Sequence, residues 1–196
     1  MGEPARRLPT YDDVVNAPDG VTAEILAGEL VLSPRPAVSH SRVEGGLGAD
    51  LELFARGSGG PRGWWFLREL ELHLGAQDPK SVVVVPDLAG WRRDHMPVLL
   101  DAPAITLPPD WVCEVLSPGP VNTRRDRVLK PIVYAAAGVP YLWYIDPVEH
   151  LLEVRKLQGT VYAVIQTFVG EDRVRAEPFD AIELDMANWW LPPATP

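Results

Sequence analysis

The chain has 196 residues, 46% hydrophobic and 23% charged. That suits one α/β domain spanning 1–196 and excludes a disordered chain, a collagen-like repeat and, with Cys113 alone, a disulfide scaffold. Twenty-seven acids against eighteen bases give a net charge of −9, which excludes a protein that coats nucleic acid by charge alone.

No apolar run approaches the ~20 residues of a membrane span. The start, MGEPARRLPT, lacks the apolar core of a signal peptide and has Arg6 where myristoylation wants Ser or Thr. A soluble cytoplasmic protein with no membrane partner is expected. Tyr11 to Val15 reads as a helical turn, followed by the turn Pro18-Asp19-Gly20. Glu24-Ile25-Leu26 and Leu30-Val31-Leu32 flank Ala27-Gly28-Glu29 as a hairpin. Val38 to Arg56 is predicted as a helix on the spacing of Val43, Leu47, Leu51 and Phe54. Gly45, Gly46 and Gly48 weaken it by ~1 kcal/mol each. Their cluster follows no strand and lacks the dinucleotide fingerprint, so it is not read as a phosphate cradle.

Trp65 to Leu74 alternates as a strand, and Ser81 to Val85 is a β-branched run of the doubly buried kind, ended by Pro86. Residues 92–110 read as a polar, Pro-rich loop. Trp111 to Leu116 is a strand closed by Ser117-Pro118-Gly119-Pro120. A helix is predicted from about Asn122 to Ala137, with Leu129, Ile132, Val133 and Ala136 as its apolar face and Gly138 as its C-cap. Tyr141 to Ile145, His150 to Leu157 and Thr160 to Phe168 are strands, with turns at Asp146-Pro147 and Gln158-Gly159. Trp189-Trp190 suits either a tail packed back on its own sheet or part of a homodimer contact.

Four features bear on chemistry. Asp87 follows Pro86 at the end of an interior strand, where a cap or turn role is the commoner use of Asp. Alternation puts Glu114 on the face of Val112 and Leu116, where an ionised carboxylate needs a partner, either an Arg or a metal ion shared with Asp87. Two such carboxylates suit Mg²⁺. Lys130 has Asp126 and Tyr134 four residues to either side, which permits a plain Asp126–Lys130 surface pair. Yet fifteen of the eighteen bases are Arg, and a compact ammonium reaches a phosphate or a water where a guanidinium is too bulky. Arg92-Arg93 and Arg124-Arg125-Arg127 each follow a candidate acid, as a positive rim around an acidic centre would. The four histidines have no metal-binding spacing, and no nucleophile elbow or Walker loop is present.

In order, Pro86-Asp87, Glu114-Val115-Leu116-Ser117-Pro118, Asp126-x-x-x-Lys130-x-x-x-Tyr134, Gly138-Val139-Pro140 and Trp143-Tyr144-Ile145-Asp146-Pro147 resemble the Uma2 family (DUF820). That family is placed in the PD-(D/E)XK nuclease superfamily. The likeness extends to Glu24 through Leu30 and to Ser33-Pro34 followed by His40, and covers about residues 11–190. It implies a restriction-endonuclease-like fold, a central mixed β-sheet flanked by helices. It also implies Asp87 and Glu114 as metal ligands, with Lys130 as the triad lysine, moved from the strand to the next helix. Glu24 matches the family's upstream acid and His40 its recurrent histidine. Pro131, just after Lys130, departs from the pattern and should kink the helix, and Tyr141 stands where the family often has Glu.

The expected function is Mg²⁺- or Mn²⁺-dependent hydrolysis of phosphodiester bonds in DNA. Asp87, Glu114, Lys130 and Glu24 would form the catalytic set. Arg92, Arg93, Arg124 and Arg125 would contact DNA, and His40, Asp126 and Tyr134 would lie beside the centre. The alternatives are a non-catalytic module that binds nucleic acid or protein, and an enzyme of the same metal type acting on another phosphate ester.

Overall fold

The computed structural model describes residues 7–55, 63–99 and 101–192. The predicted helix end at Arg56 and the residues before Arg7 lie outside them. After α1 (Tyr11–Val15), strands β1 (Val21–Leu26) and β2 (Glu29–Pro34) form the expected hairpin. Its two-residue turn, Ala27-Gly28, has both φ angles positive (51° and 77°), the turn that matches strand twist. α2 (Val38–Ala55) follows as predicted. Gly46 serves close approach: a Cβ there would lie 2.6 Å from the Asn188 carbonyl oxygen.

The run from Trp65 to Leu74 is not one strand. It divides into β3 (Trp64–Arg68) and β4 (Leu72–His73) at Glu69, whose φ is +47°. Likewise the strand expected at 81–85 shrinks to β5 (Val83–Val84), because Pro79–Ser81 forms a 3₁₀ turn capped by the Asp78 side chain. Residues 88–92, partly assigned to a loop, are strand β6 (Leu88–Arg92). Gly90 hid it by its poor strand propensity, yet the position needs glycine: a Cβ there would meet the rings of Phe66 and Trp111 at 3.0–3.1 Å.

The break at Glu69 and the one at Pro86-Asp87 have one cause, the passage of the chain between two sheets. The smaller has the order β2-β1-β5-β4. The larger is β10-β9-β8-β7-β6-β3, built with β7 (Trp111–Val115), β8 (Tyr141–Asp146), β9 (Leu151–Gln158) and β10 (Val161–Val169). Its β7–β8 pair is parallel and its other pairs antiparallel, so the sheet is mixed. The crossings at Glu69 and at Pro86-Asp87 lie side by side, since the Glu69 N–H donates to the Asp87 carbonyl (3.2 Å).

Helices cover both faces of the larger sheet. On one, Trp111, Cys113 and Val115 pack with Val43, Leu47, Leu51 and Phe54 of α2. On the other, Val112, Leu142 and Tyr144 meet Leu129, Val133 and Tyr134. These last belong to the β7–β8 crossover: α3 (Pro120–Arg124), a π-helical turn Arg125–Leu129, and α4 (Lys130–Ala136). Pro131 has no N–H to donate, and the helix meets it by widening one turn earlier, with the Lys130 N–H bonded to the Arg125 carbonyl. The buried stripe is Asp126, Leu129, Lys130, Val133 and Tyr134, whereas Ile132 is 56% exposed and Ala136 exposed. The expected apolar face is thus rotated by one position, because the polar ends of Lys130 and Tyr134 find Glu114 beneath the helix.

At the C-terminus, β11 (Arg173–Val174) pairs with β12 (Leu184–Asp185), and a 3₁₀ turn (Met186–Trp189) packs on α2. Trp189 and Trp190 are buried within the chain, their N–H groups donated to Asp50 and the Gly170 carbonyl, which leaves no indole face for a dimer contact. No helix among the described residues is long and apolar enough to cross a membrane.

Candidate active site

A cleft of about 250 Å³ opens where the two sheets meet the start of α2 and the start of α3. Glu24 reaches it from β1, Asp87 from the sheet crossing, His40 from α2 and Lys130 from α4. These four, distant in sequence, are brought together as expected. Asp87 owes its place to Pro86, which ends one sheet and starts the passage to the next. Its Oδ2 accepts the Val115 N–H at 2.6 Å.

Glu114 does have a partner, but it is neither an Arg nor a surface group. Its Oε2 accepts from Lys130 Nζ (2.7 Å) and its Oε1 from the Tyr134 hydroxyl (2.5 Å). Lys130 also donates to the Val85 carbonyl (2.8 Å) and lies 3.4 Å from Glu24 Oε1, which accepts the Val85 N–H. Glu24 and Glu114 are each 1% exposed and Lys130 2%. Lys130 is therefore no surface partner of Asp126. Asp126 takes a bidentate bond from Arg125 (2.6 and 3.0 Å), and Arg125 also donates to the Ser33 hydroxyl. Glu114, Asp126 and Tyr134 do not line the cleft.

Burial works against the charge on Lys130, but Glu114, Glu24 and Asp87 outweigh it and raise its pKa. Burial pushes the Glu114 carboxyl up, opposed by Lys130. Lys130 on one oxygen and the Tyr134 hydroxyl on the other favour the carboxylate against that burial. Asp87 is held below the usual range: burial would raise it, but His40, Lys130 and the Val115 N–H prevail.

The structure adds Glu44, which the sequence reading passed over. It lies one helical turn after His40, a spacing that puts both on one face of α2. His40 Nε2 is 3.2 Å from Asp87 Oδ1 and 3.8 Å from Glu44 Oε1, yet neither Nε2 nor Oε1 makes a geometrically sound hydrogen bond. Burial lowers the His40 pKa, but Asp87 and Glu44 overcome it and push it up to about 10. Nδ1 lies 3.5 Å from the Ser117 hydroxyl. Ligand atoms of His40, Glu44 and Asp87 all fall within 4.8 Å of one another, a group that fits a metal ion.

The expected basic rim does not assemble. Arg92 ends β6, about 17 Å from Asp87 at ~3.3 Å per residue, because a strand and not a short loop separates them. It pairs with Asp94 (3.0 and 3.1 Å), while Arg93 covers the Trp65 ring at 3.9 Å and donates to the Ala55 carbonyl. Arg124 is held bidentately by Glu29, with both bonds 2.8 Å. Of these four only Arg125 lines the cleft. Arg35, between Pro34 and Pro36, lines it too and, among the described residues, has no ion-pair or hydrogen-bond partner.

A family model described as "Uma2: Putative restriction endonuclease" matches residues 7–187. No curated protein matches the chain. Among solved structures, a protein of Anabaena variabilis ATCC 29413 described as "a putative nuclease belonging to DUF820" is 20% identical, with a TM-score of 0.70. The match covers 92% of this chain and 97% of that one, a likeness of fold at this identity. The mixed sheet flanked by helices is the restriction-endonuclease-like arrangement, and the chain belongs to the Uma2 family.

Proposed function

We propose that the chain is a metal-dependent endonuclease that hydrolyses phosphodiester bonds in DNA. One observation carries the reading: Glu24, Asp87, Lys130 and His40, from four separate elements, converge on one cleft. A Mg²⁺ or Mn²⁺ ion at Asp87 would supply Lewis-acid polarisation of a phosphoryl oxygen and a bound water of lowered pKa. The resemblance to the family implies Glu114 as a second ligand, although Lys130 and Tyr134 already occupy both its oxygens.

The ammonium of Lys130 is held by Glu114, the Val85 carbonyl and Glu24, so positive charge is fixed at the cleft wall before substrate arrives. There it offsets charge that builds on the phosphate, without reorganising during the reaction. Arg35, without a partner among the described residues, offers its guanidinium at the rim, its backbone restrained by the flanking prolines, as a fork that suits a phosphate. With a net charge of −9, substrate is held by this local set and the bound cation rather than by a long-range field.

The test is nicking of supercoiled plasmid in Mg²⁺ or Mn²⁺. Cleavage is expected, with Asp87→Asn slower by at least ~100-fold. DNA binding without cleavage would favour the binding module, and full activity in Asp87→Asn would remove the site.

A further inference from the structure

Resting on the metal-dependent reading above, we propose that the cation's seat in this chain is His40, Glu44 and Asp87, a nitrogen and two carboxylates, and that Glu114 is not a ligand. The family likeness points to Asp87 with Glu114, and the geometry of Glu114 does not suit that role. Both its oxygens are engaged, one by Lys130 Nζ at 2.7 Å and one by the Tyr134 hydroxyl at 2.5 Å. It does not line the cleft. Turning it toward an ion would strip a buried ammonium of its nearest counter-charge.

The opposite side of Asp87 shows the complementary condition. His40 is 5% exposed and Glu44 8%, yet Nε2 of the first and Oε1 of the second have no hydrogen-bond partner. Two buried polar atoms that pair by charge at 3.8 Å but make no sound hydrogen bond are uncommon in a folded chain. A single cation satisfies both at once. Asp87 is prepared to share it: Oδ2 is occupied by the Val115 N–H, and Oδ1 faces His40 Nε2 at 3.2 Å.

The support of the ring fits a ligand as well. Ser117 Oγ lies 3.5 Å from Nδ1, on the far side of the ring from the carboxylates, where an outer partner holds Nε2 toward an ion. His40 and Glu44 stand one turn apart on an 18-residue helix, so their separation is fixed by rigid backbone. Mg²⁺ takes oxygen ligands, whereas imidazole favours the transition metals, so the set selects Mn²⁺ over Mg²⁺.

The experiment uses the whole chain, stripped with chelator and titrated with Mn²⁺. One ion per chain is expected, with pulsed electron paramagnetic resonance showing ¹⁴N coupling from a directly bound imidazole. His40→Gln and Glu44→Gln should each weaken Mn²⁺ binding by at least ~10-fold, the scale of loss at metal sites. The Glu114→Gln/Lys130→Met double variant removes both charges of the buried pair together. Shown to be folded by circular dichroism, it should bind Mn²⁺ within about threefold of the parent, less than the tenfold that marks loss of a metal-site group. Bound Mn²⁺ without ¹⁴N coupling would overturn the assignment and leave the metal-dependent reading standing. So would wild-type affinity in His40→Gln. Absence of any Mn²⁺ or Mg²⁺ binding in the parent chain would overturn both.

Discussion

Replacing Lys130 with Met tests the buried charge network most directly. The ammonium is 2% exposed and bonded to Glu114 and the Val85 carbonyl, with Glu24 at 3.4 Å. Methionine fills nearly the same volume, so the change removes charge and hydrogen bonds with little cavity. Glu114 is then left 1% exposed with the Tyr134 hydroxyl as its surviving donor. An uncompensated buried charge of this kind destabilises by about 3–5 kcal/mol. In a domain of this size that lowers Tm by roughly 6–20 °C. Adding Glu114→Gln should restore part of the loss, since Glu24 alone then remains as a buried carboxylate deprived of Lys130.

The pH dependence gives an independent sign. In Lys130→Met the stranded Glu114 has a folded pKa above its unfolded value near ~4.3. Its penalty is therefore absent at low pH and grows as pH rises through that raised value. The gap between variant and parent should widen from pH 5 to pH 8 in urea melts followed by tryptophan fluorescence. A variant within ~1 kcal/mol of the parent at pH 8, or a gap that ignores pH, would refute the buried pair.

Four further outcomes are expected. Arg35→Ala should weaken binding to DNA of any sequence and reduce the slope of log affinity against log salt by about one, with unchanged melting; an unaltered slope removes Arg35 from the interface. Gly45→Ala, with nothing within 4 Å of its Cβ, should stabilise α2 by ~0.5–1 kcal/mol. Gly46→Ala should destabilise by ~1–3 kcal/mol against the Asn188 carbonyl, and equal effects at the two positions would show that α2 does not pack on the C-terminal turn so closely. In the metal-free chain, His40 is raised to about 10, so its stabilising charge is fully present below about 6.5 and lost as pH climbs through 10. Stability should fall by at most about 5 kcal/mol across that window, at about 1.4 kcal/mol per pH unit, and His40→Gln should flatten the fall; a profile identical in the two would show His40 neutral.

The candidate residues Asp87, Glu114 and Lys130 were legible in the sequence, because each had a local signature, whereas Glu44 had none that was used. Asp87 stood behind a proline that must end a strand. Glu114 broke an apolar face, and Lys130 broke the chain's habit of using arginine. The hairpin, α2, β7 to β10 and the C-terminal stop at Gly138 were equally local, since periodicity and turn chemistry write them within a few residues. What the tertiary structure decided is which of these groups spend their charge on one another. Glu114 is sixteen positions from Lys130 and lies on a different element, so no spacing rule could reveal that they meet at 2.7 Å. Arg125 has a partner beside it in sequence, Asp126, but its bond to Ser33 and the lack of any partner for Arg35 among the described residues are set in space. The same limit hid the division of the apparent strand Trp65 to Leu74 between two sheets, a choice made by which partner each segment finds. Hydrophobic pattern is a property of neighbours along the chain, whereas charge pairing and sheet membership are properties of neighbours in space.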